Sequence, residues 1–210
     1  MKKATILLAL LCITACMQQR KSEELAGPES ESFVFADSRD GKEYKVVKLN
    51  SQTWMAENLN YNTEGSKCYD NEAQNCDTYG RLYDWETAMK ACPEGWHLPS
   101  DEEWKTLTRA VALSGGKAAG KRLKATSGWN DFEGKSGNGS DVFGFSALPG
   151  GSNQEGSFKL IGDSGSWWSA SKHKRKDGAY WWSMGSPSEG VYHFSYLKSM
   201  LNSVRCLRDF

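Results

Sequence analysis

The sequence predicts an α+β fold, and three observations predict it. Strand-type runs lie at both ends of the domain, two segments with helical periodicity lie between them, and a long glycine-rich stretch precedes the last strands. No segment repeats, and about 178 residues, Phe33 to Phe210, are enough for one domain with a sizeable core.

The chain begins with a leader. Met1-Lys2-Lys3 is a short basic start, and Ala4 to Ile13 is an apolar run of ten residues broken only by Thr5. A span needs about 20 apolar residues, so this run fits the central region of a secretory signal instead. It ends in Ile13-Thr14-Ala15-Cys16, which resembles a bacterial lipobox. The resemblance implies cleavage after residue 15, a diacylglyceryl group on Cys16 and acylation of its new amino group. Several acyl chains, each contributing about 0.8 kcal/mol per buried methylene, would anchor the chain to a membrane. Met17 follows in place of the Asp that retains many such proteins in the inner membrane, so an outer-membrane destination is expected. Residues 16–32 form a polar tether with Arg20, Lys21, Glu23, Glu24, Glu29 and Glu31 and almost no large apolar groups.

The domain, residues 33–210, opens with strands. Phe33-Val34-Phe35 leads to the turn dipeptide Asp40-Gly41, Tyr44 to Leu49 is rich in β-formers, and Asn50-Ser51 turns into Gln52–Leu59. Cys68 and Cys76 flank a polar loop. Leu82 to Ala91 reads as a helix with Trp85, Ala88, Met89 and Cys92 on one face, stopped by Pro93 and Gly95. Ser100 and Glu103 spell a capping box, Asp101 and Glu102 complement the helix dipole, and Trp104, Leu107, Thr108 and Val111 form the apolar stripe of a second helix. That helix is expected to end at Ser114-Gly115-Gly116. From Ser114 to Ser166 lie 13 of the 21 glycines, interspersed with Trp129, Phe132, Val142, Phe143, Phe145 and Leu148. This predicts an ordered loop region folded over the core. Trp167–Ser171 and Ala179–Met184 read as paired strands joined by the basic turn Lys172–Gly178, and Val191–Leu197 and Ser203–Leu207 are the last strands.

The whole chain has 26 basic and 26 acidic residues, and loss of Lys2 and Lys3 with the leader leaves a slightly acidic protein. Nothing in that balance favours nucleic acid. Cys12 leaves with the leader and Cys16 carries lipid, so four cysteines remain in an exported domain, where disulfides are expected. Of three possible pairings, Cys68–Cys76 is local and easily closed, which leaves Cys92–Cys206. Metal binding is the rival use, but there is no C-x-x-C, and His97, His173 and His193 are scattered.

Seven blocks together resemble one known family. They are Asp40-Gly41-x-x-Tyr44-x-x-Val47, Gln52-Thr53-Trp54-Met55-Ala56-Glu57-Asn58-Leu59, Tyr79-Gly80-Arg81-Leu82-Tyr83, Cys92-Pro93-x-Gly95-Trp96-His97-Leu98-Pro99-Ser100-x-x-Glu103-Trp104, Gly144–Gly151, Trp167–Ala170 and Val204-Arg205-Cys206. They are similar to the Fibrobacter succinogenes major paralogous domain, whose members are exported bacterial proteins, many of them lipoproteins. More distantly they resemble formylglycine-generating enzymes, through Leu98-Pro99-Ser100-x-x-Glu103-Trp104, and the C-type lectin-like fold, in which a disulfide ties the first helix to the last strand. The resemblance implies a twisted antiparallel sheet with two helices and a long glycine-rich loop region.

Several chemistries were weighed on these residues. Formylglycine-generating enzymes use two reactive cysteines late in the chain, whereas only Cys206 is late here. Gly128-Trp129-Asn130-Asp131 spells the calcium motif of C-type lectins but lies about 75 residues before Cys206, too early for that role. Asp131, Glu133 and Asp141 are weak calcium candidates in a loop-rich region. His97 has no Ser, Cys or acid at a readable spacing and is expected to be structural. No catalytic residue and no cofactor are assigned. Adjacent strand residues face opposite sides, so one tryptophan of Trp167-Trp168 and one of Trp181-Trp182 should face the core. With Tyr180, the outward ones are candidate platforms for sugar rings, although burial is the default use of the nine tryptophans. The expectation is a non-catalytic envelope lipoprotein that binds a polysaccharide or a surface protein. A purely structural envelope protein is the alternative.

Overall fold

The computed structural model of the chain describes residues 32–113 and 118–209. The expected signal peptide, lipidated Cys16, the tether up to residue 31 and the helix stop at Ser114–Gly116 lie outside those residues.

In chain order the elements are β1 (Ser32–Ala36), β2 (Glu43–Leu49), β3 (Gln52–Met55), β4 (Ser66–Lys67), a 3-10 turn (Tyr69–Asn71), α1 (Ala73–Tyr79), β5 (Leu82–Tyr83), α2 (Trp85–Ala91), β6 (Trp96–His97), α3 (Asp101–Val111) and α4 (Ala119–Leu123). They continue with β7 (Gly150–Gln154), β8 (Ser157–Ile161), β9 (Ser164–Lys172), β10 (Gly178–Gly185), β11 (Tyr192–Leu197), β12 (Asn202–Ser203) and β13 (Leu207–Arg208). The architecture is α+β, as expected. One sheet has the order β1-β2-β3-β13-β6 and the other β11-β10-β9-β12-β5-β4, with β7 parallel to β9 and antiparallel to β8. The N-terminal meander therefore pairs directly with the C-terminal strand, where Leu207 faces Trp54 on one side and His97 on the other.

Local chemistry explains the elements that were expected. Asp37 accepts from the amide of Gly41, whose φ of +75° suits glycine, so β1 and β2 form a hairpin. Ser100 and Glu103 make the full capping box of α3, and Trp104, Leu107 and Val111 are its buried stripe. Both disulfides are formed, Cys68–Cys76 and Cys92–Cys206, with Cα atoms 5.0 and 5.8 Å apart.

Four expectations need correction. The helix expected from Leu82 starts at Trp85, because Asp84 caps it by accepting from the Thr87 amide at 2.8 Å, and Leu82-Tyr83 pair as β5 instead. The polar loop between Cys68 and Cys76 contains α1. With α4, the fold has four α-helices among the described residues rather than two. The single strand expected over Ser203–Leu207 is two short strands in different sheets, with Val204, Arg205 and Cys206 fully buried where the chain passes between them.

The described part of the expected loop region, residues 118–166, folds over the core as anticipated, but it contains α4 and the β7–β8 hairpin as well as loop. Trp129, Phe143 and Phe145 are buried in the core beside Trp54 and Trp104. Buried Lys124 fastens the loop, donating to the carbonyls of Gly137 at 2.6 Å, Ser188 at 2.9 Å and Gly185 at 3.3 Å. Burial pushes its ammonium down to about 8.

The core consists of two large clusters, one on each face of β9 and β10. On one face Trp167, Trp182 and Met184 pack against α3 and the loop region. On the other, Trp168 and Ala179 pack against Tyr83, Trp85 and Ala88. Among the described residues, no helix is long and apolar enough to cross a membrane.

Candidate functional site

The double covering of β9 decides what the tryptophans can do. Trp167 and Trp168 are both 0% exposed and Trp182 only 5%. The expectation that one member of each pair would face outward fails for Trp167-Trp168, because α3 covers one face of the strand and α2 the other. Their indole N–H groups are used internally: Trp167 Nε1 donates to Asn58 Oδ1 at 2.8 Å and Trp168 Nε1 to the Tyr83 carbonyl at 2.7 Å. Trp167, Trp168 and Trp182 are core residues and offer no surface platform. Tyr180 and Trp181 remain accessible, both half-buried and on opposite faces of β10.

Tyr180 belongs to an aromatic row that the sequence did not reveal. Its ring stacks on His193 with centroids 4.7 Å apart, and the His173 ring lies nearly perpendicular to it with centroids 5.2 Å apart. His193 also packs on Trp182 at 4.8 Å. One carboxylate fixes this row: Asp101 Oδ2 lies 2.9 Å from His193 Nε2, and Asp101 Oδ1 accepts from Trp182 Nε1 at 3.1 Å. Asp101 is the first residue of α3, placed there by the capping box.

The backbone explains why the site forms here. The β9–β10 register runs from Ala179 opposite Lys172 to Trp181 opposite Trp168, so β9 carries extra residues opposite Tyr180. This bulge docks on the start of α3: Ala170 donates to the Pro99 carbonyl at 2.8 Å, and Ser171 Oγ accepts from the Asp101 amide at 3.0 Å. Bulges commonly re-aim side chains beside functional sites. The result is a half-buried tyrosine ring beside two imidazoles, held in place by the docked bulge and by Asp101.

On the other face, Trp181 packs against Phe194 at 4.9 Å. Tyr192, Phe194 and Tyr196, on the edge strand β11, are 47%, 46% and 40% exposed. The period-2 spacing of these three aromatics was a signal available in the sequence. His193 was not readable, since its partner Asp101 is 92 residues away.

The calcium candidates do not assemble. Asp141 accepts from Ser146 N at 2.7 Å and from Ser146 Oγ at 2.6 Å, Asp131 accepts from Gly137 N at 3.3 Å, and Glu133 is exposed. Burial raises the Asp141 carboxyl above its ordinary range, which disfavours the ionised form a cation needs. Among the described residues, no three His, Cys, Asp or Glu side chains are grouped to hold a metal ion. Trp129 of the Trp-Asn-Asp sequence is buried, with its indole N–H on the Ala147 carbonyl at 3.0 Å.

His97 is hydrogen-bonded, as expected of a structural histidine, to two acids that reach it through the fold. Its Nδ1 lies 2.6 Å from Asp209 and its Nε2 2.9 Å from Glu103, so the ring clasps the C-terminal strand to the start of α3. No hydroxyl or thiol hydrogen-bonds to His97 or His193 among the described residues.

No curated protein and no solved structure matches the chain. A family model, the Fibrobacter succinogenes major domain, matches residues 47–208. Asn58, His97, Asp101, the tryptophan strands and Cys206 all lie within that span, and the chain belongs to this family.

Proposed function

We propose that the protein is a non-catalytic, lipid-anchored envelope module of C-type lectin-like fold that binds glycan on the Tyr180–His193 row. The observation that carries this is the half-buried, pre-positioned tyrosine ring between the imidazoles of His173 and His193. Sugar rings present C–H faces to such a platform, and their hydroxyls need donors and acceptors around it. Asp101 supports the reading by fixing the row before any ligand arrives, which lowers the ordering cost of binding. The lectin-like assignment draws support from the pairing of the first strands with the last and from the Cys92–Cys206 bridge. Anchoring through Cys16 in the outer membrane rests on the lipobox.

Affinity electrophoresis against a panel of plant and bacterial polysaccharides tests the reading. Wild type should be retarded by at least one of them, and Tyr180→Ala should lose about tenfold or more in affinity with an unchanged near-UV spectrum. Retardation by none, or full retention in Tyr180→Ala, removes the glycan reading.

A second reading, a module that packs against other surface proteins, is favoured by the outer edge of β11 with Tyr192, Phe194 and Tyr196 exposed. A photo-crosslinker at Phe194 in cells should then trap one constant protein partner, and a diffuse set of adducts would count against it.

A further inference from the structure

We infer that the ligand of this platform is an acidic glycan, its sugar ring on Tyr180 and its anionic groups on the basic β9–β10 turn. This rests on the glycan reading of the same site and names the ligand class.

His173 joins the two parts. Its ring meets Tyr180 at 5.2 Å and also lines an open depression of about 1050 Å³ with Lys172, Arg175, Lys176, Leu197 and Lys198. Two of the cations here are already matched: Arg175 lies 3.2 Å from Asp177 and Lys198 2.9 Å from Glu86. Lys172, Lys174 and Lys176 make no ion pair among the described residues. Over the turn and its rim, five cations thus face two carboxylates, in a chain whose basic and acidic residues are equal in number overall. The positive charge is concentrated beside the aromatic row rather than spread over the protein.

A neutral polysaccharide gains nothing from this arrangement. A polymer with a carboxylate or sulfate on successive sugars can seat one ring on Tyr180 while its neighbours lie along the turn. Each exposed charge pair is weak by itself and is screened over about 8 Å at physiological salt. Several together give a preference for the acid that must weaken with salt.

The test uses the full chain in detergent, titrated with polygalacturonate, its fully methyl-esterified form, dextran sulfate and vesicles containing phosphatidylglycerol, at 50 and 300 mM NaCl. Polygalacturonate should bind about tenfold more tightly than the ester and lose about tenfold between the two salts. Lys172→Gln combined with Lys176→Gln should bind acid and ester alike, and Tyr180→Ala should lose affinity for the acid. Equal binding of acid and ester by wild type overturns the acid preference. If Tyr180→Ala still weakens the ester, the glycan reading survives that result. Dextran sulfate binding that ignores Tyr180→Ala, with no polygalacturonate binding, marks simple ion exchange and overturns the inference. Vesicle binding that Lys172→Gln combined with Lys176→Gln loses, with no binding of any glycan, overturns both readings; partitioning through the acyl chains is not changed by that variant.

Discussion

Asn58 and Arg205 carry the most concentrated chemistry at the scale of single residues. Arg205 is fully buried with no carboxylate in contact, and burial pushes its guanidinium down to about 9, which leaves it charged at neutral pH. Asn58 Oδ1 accepts from Arg205 Nη2 at 2.9 Å and Nε at 3.2 Å, while the Phe145 carbonyl accepts from Nη1 and the Ser146 carbonyl from Nη2 at 3.4 Å. The same Asn58 oxygen takes the Trp167 indole N–H, and its amide donates to the Tyr79 carbonyl at 2.8 Å. Removing that side chain takes a partner from a buried cation without removing the cation. Asn58→Ala should therefore cost about 3–5 kcal/mol in urea unfolding at pH 7. Asn58→Asp should cost less, because a carboxylate still accepts from Arg205 and Trp167 and loses only the amide's bonds to the Tyr79 carbonyl and Ser203 Oγ. A cost below about 1 kcal/mol for Asn58→Ala would show that Arg205 is satisfied without it.

Among the elements, α3 is the one on which the fold and the candidate site both depend. Its cap residue Glu103 accepts from the amide and hydroxyl of Ser100, both at 2.7 Å, and meets His97. Burial tends to raise the Glu103 carboxyl, but these hydrogen bonds more than offset it and leave it below its ordinary 4.5. A carboxylate lowered by folding stabilises the native state above the unfolded-state value, and that contribution is lost as pH falls through the folded-state value. Glu103→Ala should cost about 1 kcal/mol at pH 7, and the gap from wild type should close below about pH 4. A gap independent of pH in chemical denaturation would place the effect in packing instead. The capping box and its apolar stripe were readable because both are written within twelve residues, Ser100–Val111. The same locality made the β1–β2 turn and the β9–β10 pair readable. The two-residue strands β4, β5 and β6 were not, since so short a segment carries no period and pairs only when distant chain arrives. The site was half legible for the same reason: Tyr180 could be picked from its strand, but its partners His193 and Asp101 come from β11 and α3. Burial of both Trp167 and Trp168 depended on helices covering both faces of one strand, which strand alternation alone does not specify.

On the scale of the whole molecule, the C-terminal segment is fastened to the first half of the domain three times: by β13 lying between β3 and β6, by His97 on Asp209, and by Cys92–Cys206. The two disulfides should differ in what they contribute. Cys68 and Cys76 are 8 residues apart, whereas Cys92 and Cys206 are 114 apart. In the chain-entropy description, closing the short loop removes unfolded-state freedom corresponding to about 2.6 kcal/mol and the long one about 4.8 kcal/mol. Replacing Cys92 and Cys206 by Ala should thus destabilise the protein by about 2 kcal/mol more than the same replacement at Cys68 and Cys76. Cys206 is wholly buried, so any cavity left there adds to the difference. In a domain of this size that extra loss corresponds to a melting temperature lower by roughly 4–8 °C. Tyr180 lies on β10, covered on both faces by core, so the Cys68/Cys76 variant should keep its glycan affinity while it melts earlier. Equal destabilisation by the two double variants would mean that the strand pairing and the His97 clasp already restrict the chain ends in the unfolded ensemble, leaving the long bridge little freedom to remove.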